Sequence, residues 1–436
     1  MALTLTQQPT TPNASRTNLL YTLTSDSSSK DQFRYIAQVS TDEPLQSPNN
    51  FFFPEVTLKY YPNTTGSGII DLANVLNRYL AWDENSMAWS NPVTVPFGSE
   101  GQSTVQIFSC SFGEEFADSP SSSLQTYTGS IVDILTVFQG KVDRDSGDYN
   151  FNTASIVNDH NNIFSDMPDV LYSQSQYDFF QECPKVGFQD PQTVTVNDNV
   201  AYSVKVYEEA ANGYTGSVLL TATGSTTEFH SIVGVGPINI TQDSTVPNNG
   251  VVTGSDAAWI CFEQTGKKPI NYMLPNHSRY PCTADGDPGS YTRFLWQNNY
   301  GAWDFYNVYN TLQQTDNVER ETYTQPFPTY NQTTSPFNIN NRGEKQYSSI
   351  LTEQFTVTTD YVSKKTSDWL TQMFDSNNVY LRIGPYTGTY LTDTYSTDLR
   401  AIVINNVNYR WQENKFRNKT FQYTINWSFS NKSFVY

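Results

Sequence analysis

Glu114 and Glu115 stand side by side in the run FGEEF, Phe112 to Phe116, and paired carboxylates are what hydrolysis of a glycosidic bond would require. On a strand, however, successive side chains point to opposite faces, so these two cannot work on one substrate. With 43 acidic residues in the chain, more distant carboxylate pairs are always available and distinguish nothing. Asp143, Asp145, Gly147 and Asp148 in DRDSGD gather hard oxygen ligands around a glycine, as a calcium loop does, but the distal Glu of the full pattern is missing. Asp285 and Asp287 in DGDP are a weaker echo. Asp and Gly are also the usual turn formers, and a plain turn is the better account of both places.

The histidines are three, His160, His230 and His277, and neither H-E-x-x-H nor G-x-S-x-G occurs. His160 lies in NDHNN, a polar turn. Trp296, Tyr300, Trp303 and Tyr306 could form a platform on which sugars stack, although rings of this size more often build a core cluster or a subunit contact. Gly234 to Pro237 (GVGP) is expected to lack the helix that a phosphate-binding loop must open. The sequence therefore assigns no catalytic, cofactor-binding or metal-binding residue, and no cofactor is expected.

The elements that would position any site are strands. Phe421, Tyr423, Ile425, Trp427 and Phe429 alternate with Gln422, Thr424, Asn426 and Ser428, which predicts a half-buried antiparallel strand with one aromatic face. Phe33, Tyr35, Ala37 and Val39 alternate in the same way. Ile131 to Phe138 reads as a buried strand. Val194 and Val196, then Val200 to Val206, predict a hairpin about Asn197-Asp198-Asn199, and the Gly213 to Gly216 turn continues it as a meander. Two short helices interrupt the pattern. Asp71 is placed to cap one carrying Leu72, Val75, Leu76, Tyr79 and Leu80, and a second is predicted from Ser363 to Phe374 with Trp369, Leu370, Met373 and Phe374 inward.

The expected fold is thus mainly β, with two or three antiparallel β-sandwich-like domains and short accessory helices. The boundaries drawn are a polar N-terminal arm over 1–18, held by a neighbour, a β-rich domain with one helix over 19–190, a β-meander over 191–255, and a C-terminal β domain with one helix over 256–436. Asn248 to Ser255 is the expected linker or exposed loop.

Composition narrows the function. Of 436 residues only 16% are charged, while 14% are aromatic, so large rings supply burial and Asn, Gln, Ser and Thr supply much of the surface. That suits wide sheets and subunit contacts. A net charge of −18 with no cluster of Lys and Arg argues against specific nucleic-acid binding. The N-terminus carries neither a basic start nor an apolar stretch, so no secretory signal is expected, and no segment is apolar enough to span a membrane. Cys110, Cys183, Cys261 and Cys282 form no C-x-x-C pair and read as small core residues.

Several landmarks in order add a resemblance. GIIDLANVLNRYL (Gly68 to Leu80) follows an aromatic strand; FGEEF, VGVGPINI (Val233 to Ile240), RFLWQNNYGAWDFYNV (Arg293 to Val308) and DWLTQMFDSNNVYL (Asp368 to Leu381) come after it, and a β-hairpin closes the set. Over about residues 20 to 430 the chain resembles tailed-bacteriophage virion structural proteins, including those of crAss-like and marine phages. The resemblance implies a non-enzymatic component of a tail, collar or baseplate ring in the virion, assembled as a homo-oligomer among other virion proteins. It supplies no catalytic residues. A receptor- or glycan-binding tail protein is the alternative. An acidic surface lining a conduit would let DNA slide past rather than stick.

Overall fold

The computed structural model describes residues 3–9, 13–41, 56–80, 105–140, 165, 167, 183–187, 190, 192–197, 201–211, 213–223, 230–242, 251–252, 254–264, 268–275, 291–324, 344–382, 399–414 and 417–430. The protein is mainly β, built from several antiparallel sheets with three short helices among the described residues.

The first part of the chain forms a sandwich. Strands β1 (Leu3–Gln7), β2 (Asn13–Ala14), β3 (Leu20–Ser25), β4 (Asp31–Thr41), β5 (Val56–Tyr60) and β6 (Gly68–Asp71) precede helix α1 (Ala73–Leu76), and β7 (Val105–Ala117) and β8 (Gln125–Phe138) come after it. One sheet has the order β1-β3-β6 and the other β2-β8-β7-β4-β5. Between them lies a core in which Tyr21, Leu23, Tyr35, Ile70, Phe108, Phe112 and Leu135 are buried. The alternation of Phe33, Tyr35, Ala37 and Val39 is what lets β4 give one face to that core.

Several expectations change here. The 1–18 arm is built into its own chain: β1 pairs with β3, and β2 lies parallel to the end of β8. The helix expected after Asp71 is shorter than its apolar spacing suggests, because only Ala73–Leu76 is α-helical. Asp71 Oδ1 does accept from Ala73 N–H at 3.0 Å, as a cap would. Ahead of it, Gly68 to Asp71 is a strand paired with Leu20 to Leu23. β8 is buried on one face alone, since Val132 and Ile134 are exposed.

Among the described residues of the rest of the chain, the largest core cluster runs from Met167 to Trp427, beside smaller clusters around Trp259 and around Leu295 and Trp303. Its strands are β9 (Thr193–Asn197), β10 (Ala201–Ala210), β11 (Gly213–Thr223), β12 (His230–Gly234), β13 (Ala257–Gln264), β14 (Ile270–Met273), β15 (Thr292–Gln297), β16 (Trp303–Val308), β17 (Gln313–Thr324), β18 (Glu344–Thr358), β19 (Val379–Arg382), β20 (Leu399–Asn414) and β21 (Arg417–Phe429). Helices α2 (Pro237–Gln242) and α3 (Lys364–Asp375) lie among them. The sheets have the orders β11-β10-β13-β14, β12-β9 and β16-β15-β19-β20-β21-β18-β17.

The expected β9–β10 hairpin does not form: β9 pairs with β12, while β10 pairs with β11 and β13. The β10–β11 turn sits at Gly213, whose φ of 132° is open to glycine but strained for other residues, and Gly216 is already inside β11. Because β10 pairs with β13 from Tyr202↔Gln264 to Glu208↔Ala257, β10 and β11 share a sheet with strands beyond residue 255, and described residues of 191–255 share a core with them. Val252, in the expected linker, is fully buried.

The C-terminal expectations correspond closely to the structure. Helix α3 is capped by Ser363, whose Oγ accepts from Thr366 N–H at 3.3 Å, and it buries Trp369, Leu370 and Met373, while Phe374 is only half-buried against the same core. In β21, Tyr423, Ile425 and Trp427 are buried while the residues between them are not. Trp427 stacks on Phe355 at 5.9 Å and meets Phe294 edge-on at 5.2 Å. The two parts of the chain meet where the β15–β16 turn touches the end of β8. Gln297 donates to Gln139 at 3.1 Å there, and a Cβ on Gly301 would lie 1.9 Å from the Gln139 carbonyl oxygen.

Candidate functional site

A dense polar centre forms on strand β15, which is buried along its whole length. Its register places Arg293 directly opposite Asn307 of β16 on one side and Arg382 of β19 on the other. Cross-strand partners share a face, so two guanidinium groups are held against each other in the interior, which by itself is unfavourable. Asp190 resolves the conflict. Its Oδ2 accepts from Gly187 N–H at 2.7 Å, Asn307 Nδ2 at 2.8 Å and Arg293 at 3.2 Å, and its Oδ1 from Tyr291 OH at 2.6 Å and Arg382 at 2.9 Å.

Asp190 and Arg293 are almost fully buried, and Arg382 nearly so. Burial alone would raise the Asp190 pKa, but the two arginines, with Tyr291 and the Gly187 amide, outweigh it and hold the carboxyl below its usual value. Arg293 also donates to Gln192 at 3.2 Å and lies over the Phe305 ring at 4.7 Å. A carboxylate held by five donors and kept ionised is a poor proton acceptor; its chemistry is that of a fastener. It ties the chain around Gly187 to three strands of the largest sheet.

A cavity of about 30 Å³ adjoins this centre, lined by residues that include Cys183, Lys185, Tyr306, Asn307, Asp360 and Ser363. Burial lowers the Lys185 pKa, with Asp360 opposing. The space suits a water molecule and is far below the several hundred cubic ångströms of an ordinary ligand pocket. A second buried carboxylate, Asp304, accepts from Ser165 Oγ at 2.7 Å, Asn298 Nδ2 at 3.0 Å and Trp369 Nε1 at 2.7 Å, and so links the β15–β16 hairpin to α3.

Glu114 and Glu115 do occupy opposite faces. Glu114 is turned into the sandwich, where Ser25 Oγ donates to it. Glu115 is turned the other way, where Lys59 approaches at 2.7 Å and Arg34 at 3.8 Å. Of the four proposed platform rings, Trp296, Tyr300 and Trp303 are buried and Tyr306 packs against the core, with Trp296 and Trp369 5.0 Å apart, so they offer no exposed stacking surface. The GVGP reading needs correction, because a helix does come after it: α2 begins at Pro237, which suits a first helical position. The amides are nevertheless occupied, since Gly236 N–H donates to Gln192 O at 3.1 Å and to Asn239 Oδ1 at 3.2 Å.

His160, His277, DRDSGD, DGDP and Cys282 lie outside the described residues, and His230 is described for its backbone alone. Among the described residues no group of three or more His, Cys, Asp or Glu is placed to hold a metal ion, and no helix is long and apolar enough to cross a membrane. Cys110, Cys183 and Cys261 are buried free thiols.

Sequence reasoning missed both the Asp190 centre and a long exposed feature, the β17–β18 ribbon. The one available signal for the first was an arginine on each of two largely apolar strands, TRFLWQ and VYLR. The ribbon gives no apolar alternation to read. All twelve residues of β17 are exposed, and β18 becomes buried only at Phe355. Its pairing with β21 spans Phe355 to Thr358, so Glu344 to Gln354 runs on past the sheet with β17 as its sole neighbour among the described strands. Val318, Tyr323, Tyr347 and Ile350 are exposed on it. No family model matches the sequence, and no match was found among curated proteins.

Proposed function

We propose that this chain is a non-enzymatic structural component of a tailed-phage virion, one of the subunits that build a ring in the tail, collar or baseplate. The observation that carries the reading is the β17–β18 ribbon, extended beyond its sheet, with every residue of β17 exposed. A two-stranded ribbon alone in water is marginal, so a chain that keeps one gains from covering it with a neighbour. The interior supports the same role: its best-formed polar centres fasten segments together, and its adjoining cavity suits water rather than a substrate. The order of sequence landmarks supplies the phage assignment, and the charge of −18 suits a subunit that does not bind DNA tightly.

Light scattering with negative-stain imaging of the purified chain, and localisation of the chain in purified particles, test the proposal. A closed ring, or a fixed copy number on the tail axis, is expected. A chain absent from particles overturns the virion role; a chain found there as scattered monomers overturns the ring.

A further inference from the structure

We propose that β17 pairs edge to edge, antiparallel, with β17 of a second copy of this chain, about a two-fold axis at Val318. β17 is the outermost strand of its sheet, and all twelve of its residues are exposed. Proteins guard such edges with prolines, charged side chains, bulges or very short strands; β17 is long and has no proline, and its guards are four charged residues and a bulge between Glu321 and Thr322.

The charges select the partner and the register. Asp316, Val318 and Arg320 share one face, since they are two residues apart on a strand. Within the chain, Asp316 lies opposite Glu353, a like-charge pair, and Arg320 lies opposite Ser349. Asp316 receives a hydrogen bond from Gln314 at 2.9 Å and has no cation partner among the described residues. Arg320 is four residues along, about 13 Å away, out of reach of it. With Val318 set opposite Val318 of the second copy, Asp316 of each copy meets Arg320 of the other. Two opposite-charge pairs then flank a central valine pair. On the other face Asn317 meets Glu319 and Thr315 meets Glu321, with no two acids directly opposite. Moving the axis one residue along, to Glu319, sets that acid directly against itself. Set about Val318 the segment is self-complementary, which is the property of an isologous contact, and this is the register that pairs Asp316 with Arg320.

This pairing does not rest on the virion role, and a two-fold contact would join rings back to back as readily as it would form a free dimer. The test is sedimentation and light scattering of the full chain, with folding checked by circular dichroism. The parent should show a two-fold association. Asp316→Arg and Arg320→Asp singly should each weaken it roughly tenfold, since each converts two attractive pairs into repulsive ones. The double exchange Asp316→Arg with Arg320→Asp should restore it. Val318→Cys should form a 318–318 disulfide on mild oxidation, identified by peptide mass spectrometry. A monomeric parent, single variants that associate like the parent, a double exchange that fails to recover, or no 318–318 link would each overturn the pairing. These outcomes leave particle localisation, and so the virion reading, untouched.

Discussion

Replacing Asp190 with Asn removes the one anion between two buried arginines while barely changing volume. Either amide orientation fails. With the NH2 group at the Oδ2 position it faces donors from Gly187, Arg293 and Asn307; at Oδ1 the Tyr291 hydroxyl can turn to accept, but Arg382 can only donate. Arg293 and Arg382 are then left opposite each other across β15 and β19 without compensation. Removing one partner of a buried ion pair costs about 3–5 kcal/mol. For a cooperative unit of a few hundred residues that corresponds to a melting temperature lower by about 6–20 °C.

The assay is thermal unfolding at pH 7 followed by near-ultraviolet circular dichroism, which reports the packed tryptophans of the shared core. Asp118→Asn, at an exposed ion pair with Lys30, is the control and should leave the transition where it was. The pH dependence adds a sign. The native Asp190 pKa lies below its ordinary 3.8, so its contribution is fully present above that value. It is lost only as pH falls through the lower native pKa. The gap between parent and Asp190→Asn should therefore be equal at pH 7 and pH 5 and begin to close below about pH 4. An Asp190→Asn protein melting within about 2 °C of the parent at pH 7 would refute the claim that the carboxylate is what reconciles the arginines.

Trp427→Ala should destabilise the large core by about 3–5 kcal/mol, read as an earlier denaturation midpoint. Trp427→Phe should recover much of that, because the indole Nε1 makes no hydrogen bond and its loss removes packing alone. At Gly301, φ is 79° and an added Cβ would meet the Gln139 carbonyl, so Gly301→Ala should cost more than about 1 kcal/mol; a melt matching the parent would mean that the turn yields freely. Burial pushes the Cys110 and Cys261 thiols up to about 12, so the native state binds those protons more tightly than the unfolded chain, whose thiols titrate near 9.0. Stability should accordingly fall as pH rises from about 9 toward 12, and alkylation mapped by mass spectrometry at pH 8 should spare Cys110, Cys183 and Cys261 until the chain unfolds.

Local patterns were readable where local forces decide. β21 and α3 come from five alternating aromatic or aliphatic residues and from one serine cap with an apolar stripe, and each pattern is complete within a dozen residues. In GIIDLANVLNRYL the helical spacing after Asp71 suggests more than about two turns, yet α1 holds one. The four residues before it are a strand, because they pair with β3, whose leucines and tyrosine lie some fifty residues earlier. A tertiary partner settles that stretch, and local spacing only the short turn beside it. The NDN turn likewise suggested a hairpin between β9 and β10, yet a turn signal fixes a change of direction, not the strand that will be paired.

The Asp190 centre shows where such reading must stop. Asp190 reaches Arg293 and Arg382 across 103 and 192 residues of sequence. What makes the acid necessary is the β15–β19 register, which sets the two arginines opposite each other. A slip of one residue would put Arg382 on the other face and leave Asp190 beside one cation instead of two. The register in turn rests on the apolar face of the same strands, where Phe294 and Trp296 alternate with Arg293 and Leu295. Apolar burial thus fixes the pairing, the pairing creates a charge conflict, and the conflict is met by a residue from a distant loop. An arginine inside an apolar strand is the only step of that sequence visible in one dimension. It marks a place where an anion is required without saying which of 43 acids provides it.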